Sequence, residues 1–465
     1  MPGERLLLGR EQLGMREADV LSRDGERLRT EGEKLGARLE EFPVERQINV
    51  VARSALTGDY LAEVALLPSD PVSKLRRAVA EAANVGALQV QLLADRRLLP
   101  DAGTVADAGL DDGAEVSAVV HAAGLLALTA SSDGTAKLWR VGDGACLRSF
   151  EGHTYQVMSG AFSPDGSAVV TASLDGTARI WRGEDGACVH TLDGRDYQVV
   201  SACFSPDGAA VVTAPLDETA KIWCAKDGRC LRTLAGHRDV VLSARFSPDG
   251  LSVATRSADG TAKLWRAEDG VCIQTFQCGD SEARLAVFSP DGSMFLTSGL
   301  HHSGAKIWSR ERGGAGKFLP ARTLQGHRAE VVAGAFSSDS ALVATASADS
   351  TARIWRALED GPCLHVLAGH TGEVKAVAFS PDGALVATAS ADSTARLWSV
   401  DGGTCTQILS GHDGEILSAT FSPDSSLLLT ASEDGTAGLW HVEEGCCVQT
   451  LTGHSGGLLS AVFSP

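Results

Sequence analysis

The sequence predicts an all-β ring of eight four-stranded sheets, a β-propeller, preceded by a small α+β domain. Three observations carry that expectation. Eight tryptophans, at 139, 181, 223, 265, 308, 355, 398 and 440, recur at intervals of 42, 42, 42, 43, 47, 43 and 42 residues, and none falls outside the series. Each interval holds four short apolar runs divided by turn residues, a period that builds radially repeated sheets rather than a helical solenoid. Residues 47–120 lack this repeat and mix strand patterns with one helical pattern.

Length and composition set the frame. A chain of 465 residues accommodates two or three domains. Its net charge of −18 argues against nucleic acid or an anionic membrane as the main partner, since both call for basic patches. Residues 1–20 hold only the short apolar run Leu6–Leu8, and no stretch is long enough to span a bilayer. A cytoplasmic location is therefore expected, with the nucleus open. Seven of the eleven cysteines share one repeat position: Cys146, Cys188, Cys230, Cys272, Cys363, Cys405 and Cys447. Equivalent positions on neighbouring sheets lie too far apart for disulfides, so these are expected as small buried hydrophobes in a reducing compartment.

In chain order, residues 1–46 mix nine Lys/Arg with eleven Asp/Glu. Leu7, Leu21, Leu28 and Leu35 keep a seven-residue spacing, but Glu17, Asp24, Glu31 and Arg38 occupy the other half of the seam. A charged helical or disordered arm is expected, with a short partner-binding helix as the alternative.

Residues 47–120 predict strands at 47–53, 61–67, 89–94 and 115–120. Ser69-Asp70-Pro71 is expected to open a helix whose apolar stripe is Val72, Leu75, Val79 and Ala82. Leu-Thr-Gly (56–58), Pro-Ser-Asp (68–70), Gln-Leu-Leu (91–93), Leu-Leu-Pro-Asp (98–101), Thr-Val-Ala-Asp (104–107) and Gly-Leu (109–110) together resemble ubiquitin. The resemblance implies a ubiquitin-like (β-grasp) domain. It also puts Leu56, Leu93 and Val119 at the positions of ubiquitin's apolar recognition patch. Such a patch docks ubiquitin-binding modules or packs against the neighbouring domain. The terminal Gly-Gly is missing, because Val120 continues into His121-Ala122-Ala123, so conjugation through this domain is not expected unless the chain is cut there.

From 121 to 465, Gly-His, Phe-Ser-Pro-Asp-Gly, Ser-x-Asp-x-Thr and Trp recur at fixed offsets and resemble the WD-repeat (WD40) family. One departure runs throughout: the residue after Trp is Arg, Cys, Ser or His, never Asp. The resemblance implies that strand-b Ser, turn Asp, His and the indole N–H form one buried hydrogen-bonded chain. In the first half of the repeat the sets are His153 with Asp175 and Trp181, then His237 with Asp259 and Trp265. In the second half they are His327 with Asp349 and Trp355, His370 with Asp392 and Trp398, and His412 with Asp434 and Trp440. The serines are 173, 257, 347, 390 and 432. A sixth set, His454 with Ser131, Asp133 and Trp139, joins the two ends of the repeat. The grouping repeats without an oxyanion-hole motif beside it, so a structural rather than nucleophilic role is expected.

Two blades depart from the pattern. The third has Arg195 for His and Pro215 for Ser. The fifth has Gly279-Asp280, no turn acid where His301-His302 stand, and an insertion, Arg310–Ala321, expected as a loop between strands c and d. Both are expected to be locally looser. His301 and His302 with Cys278 do not fix a metal geometry.

Closure of the ring has two candidates, Glu115–Val120 and the spare terminal strand Leu458–Phe463. The terminal strand leaves no unpaired edge, so it is assigned to blade one and 115–120 to the small domain. The expected domains are then 1–46, 47–120 and 121–465.

Repeat offsets also define a face. Residues five after each His (Met158, Val200, Leu242, Val332, Lys375, Leu417, Leu459) and three after it (including Glu330, Glu373, Glu415) should sit where strand a meets the channel mouth. An apolar ring with an acidic arc over blades six to eight suits a peptide with apolar anchors and basic flanks, or else simply lines the channel. The expected function is a non-catalytic scaffold, monomeric, without cofactor or metal, binding proteins or peptides and, through the small domain, ubiquitin-system modules. A substrate receptor of a cullin-type ubiquitin ligase is the alternative, weakened by the lack of Trp-Asp-x-Arg. A propeller enzyme would need a polar cluster that only blade five offers.

Overall fold

The computed structural model describes residues 48–54, 60–70, 72–83, 90–94, 97–98, 104–112, 114–120 and 124–465, the last without 195–196, 280–281, 301–303 and 312–316. The arm 1–46, Leu56, Arg195 and His301-His302 lie outside the described residues.

The first unit comprises β1 (Ile48–Ser54), β2 (Tyr60–Leu66), α1 (Val72–Ala83), β3 (Val90–Ala94), β4 (Arg97–Leu98) and β5 (Glu115–Val120). They form one mixed sheet in the order β2-β1-β5-β3-β4. The central β1/β5 pair is parallel and the other pairs are antiparallel. Val72, Leu75 and Val79 of α1 are fully buried with Val50, Ala52, Leu66 and Val116 of the sheet, as the helical spacing requires. Ala82, expected on that stripe, is exposed. Asp70 Oδ2 accepts from Leu67 N at 2.8 Å and Lys74 Nζ at 2.7 Å, tying the preceding turn to the first turn of α1.

The rest of the described chain forms eight four-stranded antiparallel sheets. We letter the strands of each a to d. In seven sheets they follow chain order. In the first, strand a is Leu458–Phe463, which pairs with Leu126–Ser131 in the register Leu458↔Ser131 to Phe463↔Ala127. Successive sheets touch in a cycle that returns to its start, inner strand against inner strand except that Ala283–Phe288 of sheet five lies against strand b of sheet four, Ser252–Ser257; Leu458–Phe463 lies against both Ile416–Phe421 and Val157–Phe162. Pairing of Glu115–Val120 with β1 and β3 leaves it no part in this cycle.

The core lies between neighbouring sheets. Trp181, on strand c of sheet two, packs on Leu126, Leu128, Leu138 and Phe150 of sheet one. Trp265 packs on Val212, Ile222 and Leu234 of sheet three, Trp355 on Leu296, Ile307 and Leu324 of sheet five, and Trp440 on Ala387, Leu397 and Leu409 of sheet seven. Trp139 does the same against Leu429, Leu439 and Leu451 of sheet eight, across the seam between the chain ends. Strand b is covered on both faces and so reads as a near-continuous apolar run, as in Leu427–Ser432.

Two expectations are corrected. The rim cysteines are not buried: Cys146, Cys188, Cys230, Cys272, Cys405 and Cys447 are exposed and Cys363 is half-buried. The six exposed cysteines open strand d, the outermost edge, which has no sheet beyond it to cover a side chain, and Cys363 stands two residues before its strand d, His365–Ala368. The insertion of sheet five is not all loop either, since strands c and d run long, Gly304–Arg310 and Phe318–Gln325. Phe318 is buried, with its ring centroid 6.2 Å from Phe295 and 6.3 Å from Phe276.

Candidate functional site

Among the described residues, six polar chains occupy the face that carries the turns between strands b and c. In sheet seven, His370 Nδ1 lies 2.9 Å from Asp392 Oδ2, and His370 Nε2 lies 2.8 Å from Thr388 Oγ1. Trp398 Nε1 donates to the same Thr388 Oγ1 at 2.9 Å. The His–Asp and His–Thr contacts recur for His153 with Asp175, His237 with Asp259, His327 with Asp349 and His412 with Asp434. In the sheet that joins the ends, His454 meets Asp133 at 2.9 Å and Thr129 at 2.8 Å, and Trp139 donates to Thr129 at 2.8 Å.

The indole partner is a correction. Strand-b Ser was expected at the junction, and the structure puts strand-b Thr, two residues earlier, in its place. Trp181 donates to Thr171 at 2.8 Å and Trp265 to Thr255 at 2.8 Å. Trp355 donates to Thr345 at 2.9 Å and Trp440 to Thr430 at 2.9 Å. Ser173 instead donates to Tyr155 O and accepts from Asp175 N, and Ser131 likewise serves Gly456 O and Asp133 N. Ser257, Ser347, Ser390 and Ser432 each accept from the backbone N–H of their turn aspartate. Strand alternation explains the substitution, since Thr171 and Ser173 share a face but only Thr171 lies level with the indole. The signal was available in the recurrent Thr-Ala-Ser triplet.

Trp139, Trp181, Trp265, Trp355, Trp398 and Trp440 are all buried, so these indoles are inter-sheet packing with one satisfied N–H and offer a partner no surface.

Each Thr accepts the indole hydrogen and donates its own to His Nε2, so the histidine proton sits on Nδ1 and is donated to Asp. Burial lowers the pKa of His153, His237, His327, His370 and His454 against the pull of their aspartates. Burial alone would raise the Asp133, Asp259 and Asp349 carboxyls, but hydrogen bonds from Thr hydroxyl, backbone N–H and His hold each at about 2. Neutral His and ionised Asp are the paired states. Gly152, before His153, has φ +133°, and Gly236, Gly326, Gly369, Gly411 and Gly453 repeat a positive φ before their histidines, a conformation that favours glycine and explains the Gly-His pair.

Among the described residues, sheets three and five keep only the link from indole to strand-b threonine, Trp223 to Thr213 at 2.8 Å and Trp308 to Thr297 at 2.9 Å. Between sheets four and five, Phe276 of sheet four joins Phe288, Phe295 and Phe318 of sheet five in an aromatic cluster that adjoins Trp308. Buried Cys278 has its thiol pushed up to about 11 by desolvation. Among the described residues no group of His, Cys, Asp and Glu forms a metal site.

Around these chains lie the offset residues. Met158, Val200, Leu242, Val332, Lys375, Leu417 and Leu459 are all half-buried on strand a. Each is the unpaired residue of a one-residue bulge. A bulge re-aims its side chain, which is why one sequence offset yields one surface ring. Arg284 occupies the same bulge in sheet five, where the shifted motif hid it.

The acidic arc is corrected in one respect: it is largely paired. Lys375 Nζ lies 2.7 Å from Glu373 and 3.6 Å from Glu415. Arg284 lies 3.3 Å from Glu282 and 3.6 Å from Glu330. Leu417, Leu459, Met158, Val200 and Leu242 make the other half of the ring apolar. Leu93 and Val119 fall on adjoining strands β3 and β5, where Gln91 pairs with Val119 and Leu93 with Ser117.

The profile described as "WD domain, G-beta repeat" matches residues 144–182, 186–224, 228–266, 318–356, 361–399 and 403–441. This chain belongs to the WD-repeat family. WD40 repeats generally mediate protein–protein interaction, and WD-repeat propellers are typically non-catalytic. Among solved structures, the WD-repeat chain is similar to the computationally designed Ika8 protein, with 27% identity and a TM-score of 0.59 over 66% of this chain and 90% of that one. No curated protein matches it.

Proposed function

We propose that this protein is a non-catalytic interaction scaffold: an eight-bladed propeller whose bulge ring binds a protein or peptide, joined to a ubiquitin-like module. The observation that carries the reading is the split ring, whose bulge residues are all aliphatic from blade eight through blade four, whereas in blades five and seven they are the ion-paired Arg284 and Lys375, on either side of Val332. Half-buried aliphatic side chains re-aimed by bulges suit a partner's apolar anchors, while pre-paired charges favour register over bulk affinity. The buried Asp-His-Thr-Trp chains hold the turns of that face rigid, and their burial denies them substrate.

The small domain supports the second part through its strand order and the packing of α1 on its sheet. The chain enters the first sheet at Leu126, the end of strand b remote from Asp133. Cytoplasmic residence suits the eleven unpaired thiols.

Affinity capture with the full chain and with Met158→Glu/Leu417→Glu tests the scaffold reading. Partners of the native chain should disappear at unchanged melting temperature, and an unchanged partner set would reject the ring as the binding surface. For the module, full chain titrated with a ubiquitin-receptor domain should lose binding on Leu93→Ala/Val119→Ala.

A further inference from the structure

The eight sheets serve as controls for one another, so a side chain that the shared backbone does not need stands out. At the second residue after the His position, five sheets carry Gly456, Asp239, Ala329, Gly372 and Gly414. Glycine, alanine or aspartate therefore satisfies the fold at this point, and packing does not call for a ring. Sheets two and three nevertheless place Tyr155 and Tyr197 there, 66% and 52% exposed. These are two of only three tyrosines in the chain, so aromatic surface is concentrated on this face.

The surroundings repeat as well. Each tyrosine is followed by an exposed glutamine, Gln156 or Gln198, and then by the bulge residue Met158 or Val200. The glutamine carbonyl accepts from Leu174 N at 3.0 Å or Leu216 N at 2.6 Å, which brings a leucine beside each set. The two sets are contiguous: Gly194 N, in the Tyr197 loop, donates to Gly176 O of the turn that holds Leu174. Ser173 Oγ fixes the Tyr155 backbone through its carbonyl at 3.0 Å, so that ring is presented on a rigid loop. The named side chains of each set, Tyr155, Gln156, Met158 and Leu174 or Tyr197, Gln198, Val200 and Leu216, are uncharged, in contrast to the ion-paired half of the ring.

We propose that these twin subsites bind an extended, uncharged, proline-containing segment in the polyproline II conformation. The proposal rests on the scaffold reading and narrows it to blades two and three. A flat exposed aromatic ring stacks a prolyl ring, and the adjoining Gln amide donates to the free carbonyls that a polyproline II backbone always presents. A ligand that repeats every turn is what two copies of one subsite can read together. It also arrives already ordered, which limits the entropy lost on binding. Pyranose rings stack on tyrosine too, but they need several directed polar partners at the ring edge, and each set places one side-chain amide, Gln156 or Gln198, among the apolar Met158 and Leu174 or Val200 and Leu216.

The test uses the full chain and a fluorescein-labelled peptide of repeating Pro-Leu-Pro, read by anisotropy, with a second peptide in which glycine replaces proline. Tyr155→Ala and Tyr197→Ala should each weaken the proline peptide about tenfold, and the pair more, at unchanged melting temperature. Tyr60→Ala, at the third tyrosine, exposed on β2 of the small domain, should leave binding as it was, and the glycine peptide should bind at least tenfold more weakly. Absence of binding by the proline peptide, equal binding of the glycine peptide, or indifference to both tyrosine substitutions would overturn the proposal, as would competition by a chitin oligosaccharide. If Met158→Glu/Leu417→Glu still abolishes partner capture while the tyrosine variants bind like the native chain, the scaffold reading stands and this inference falls.

Discussion

His454 Nδ1 lies 2.9 Å from Asp133 Oδ2, a hydrogen bond that spans 321 residues of chain. It joins the last strand to the first turn of the repeat, and Ser455 N donates to the same carboxylate oxygen at 2.9 Å. The circle is thus fastened by side chains as well as by the ladder between Leu458–Phe463 and Leu126–Ser131.

Cutting that fastening should open the ring. His454→Ala leaves Asp133 and Thr129 short of a buried partner, a loss of roughly 1–3 kcal/mol. Removing residues 458–465 should do more, since it bares the edge of strand b and the face of Trp139. Urea denaturation of the full chain checks both, and a truncated chain that melts like the native one would contradict the closure.

Threonine at the junction gives a sharper comparison. Thr388→Val keeps the shape of the side chain but removes the hydroxyl that accepts from Trp398 and donates to His370, at a cost of roughly 1–3 kcal/mol. Thr213→Val removes only the Trp223 link and should cost less. Equal losses would show that histidine adds nothing to the chain.

Stability should fall in two steps on acidification. For the five histidines whose folded pKa is depressed, the unfolded chain binds more protons, so their contribution is complete above the ordinary value of 6.5 and shrinks as pH falls below it. Asp133, Asp259 and Asp349 are depressed from 3.8 to about 2, so their contribution is present above 3.8 and is lost towards 2. Melting temperature measured from pH 8 to pH 2 should show a first decline beginning near 6.5 and a second below 4. A flat profile above pH 4 would mean that the histidines titrate freely.

The two irregular blades should separate by hydrogen exchange. Blade three has Pro215 in place of the strand-b serine and a single Trp–Thr link, so its strand a should exchange faster than those of blades six to eight. Blade five has replaced its polar chain with packed rings, and Phe318→Ala should cost about 3–5 kcal/mol and speed exchange there specifically.

Thiol reactivity should divide the cysteines. The exposed rim thiols should react with an aromatic disulfide reagent within seconds at pH 8 and Cys446 more slowly, because its hydrogen bond to Glu444 raises its thiol, whereas Cys278, with its thiol near 11 and its side chain covered, should wait for unfolding.

The sequence alone determined the repeat, the order of strands, the position of each His, Asp and Trp, and the strand left over at the C-terminus to meet blade one. These are periodic features, and periodicity is written residue by residue along the chain. It could not say that Thr388 rather than Ser390 joins His370 to Trp398, or that Trp265, Trp355 and Trp440 make the same choice. That choice depends on which strand-b position lies level with the indole. Nor could it show Lys375 held between Glu373 and Glu415, or Arg284 standing at the bulge of blade five. Those contacts cross from one sheet to the next, where only the closed ring fixes the distances. The rim cysteines teach the same lesson, since a position is buried or exposed according to what the tertiary structure places beyond it, and beyond strand d there is only water.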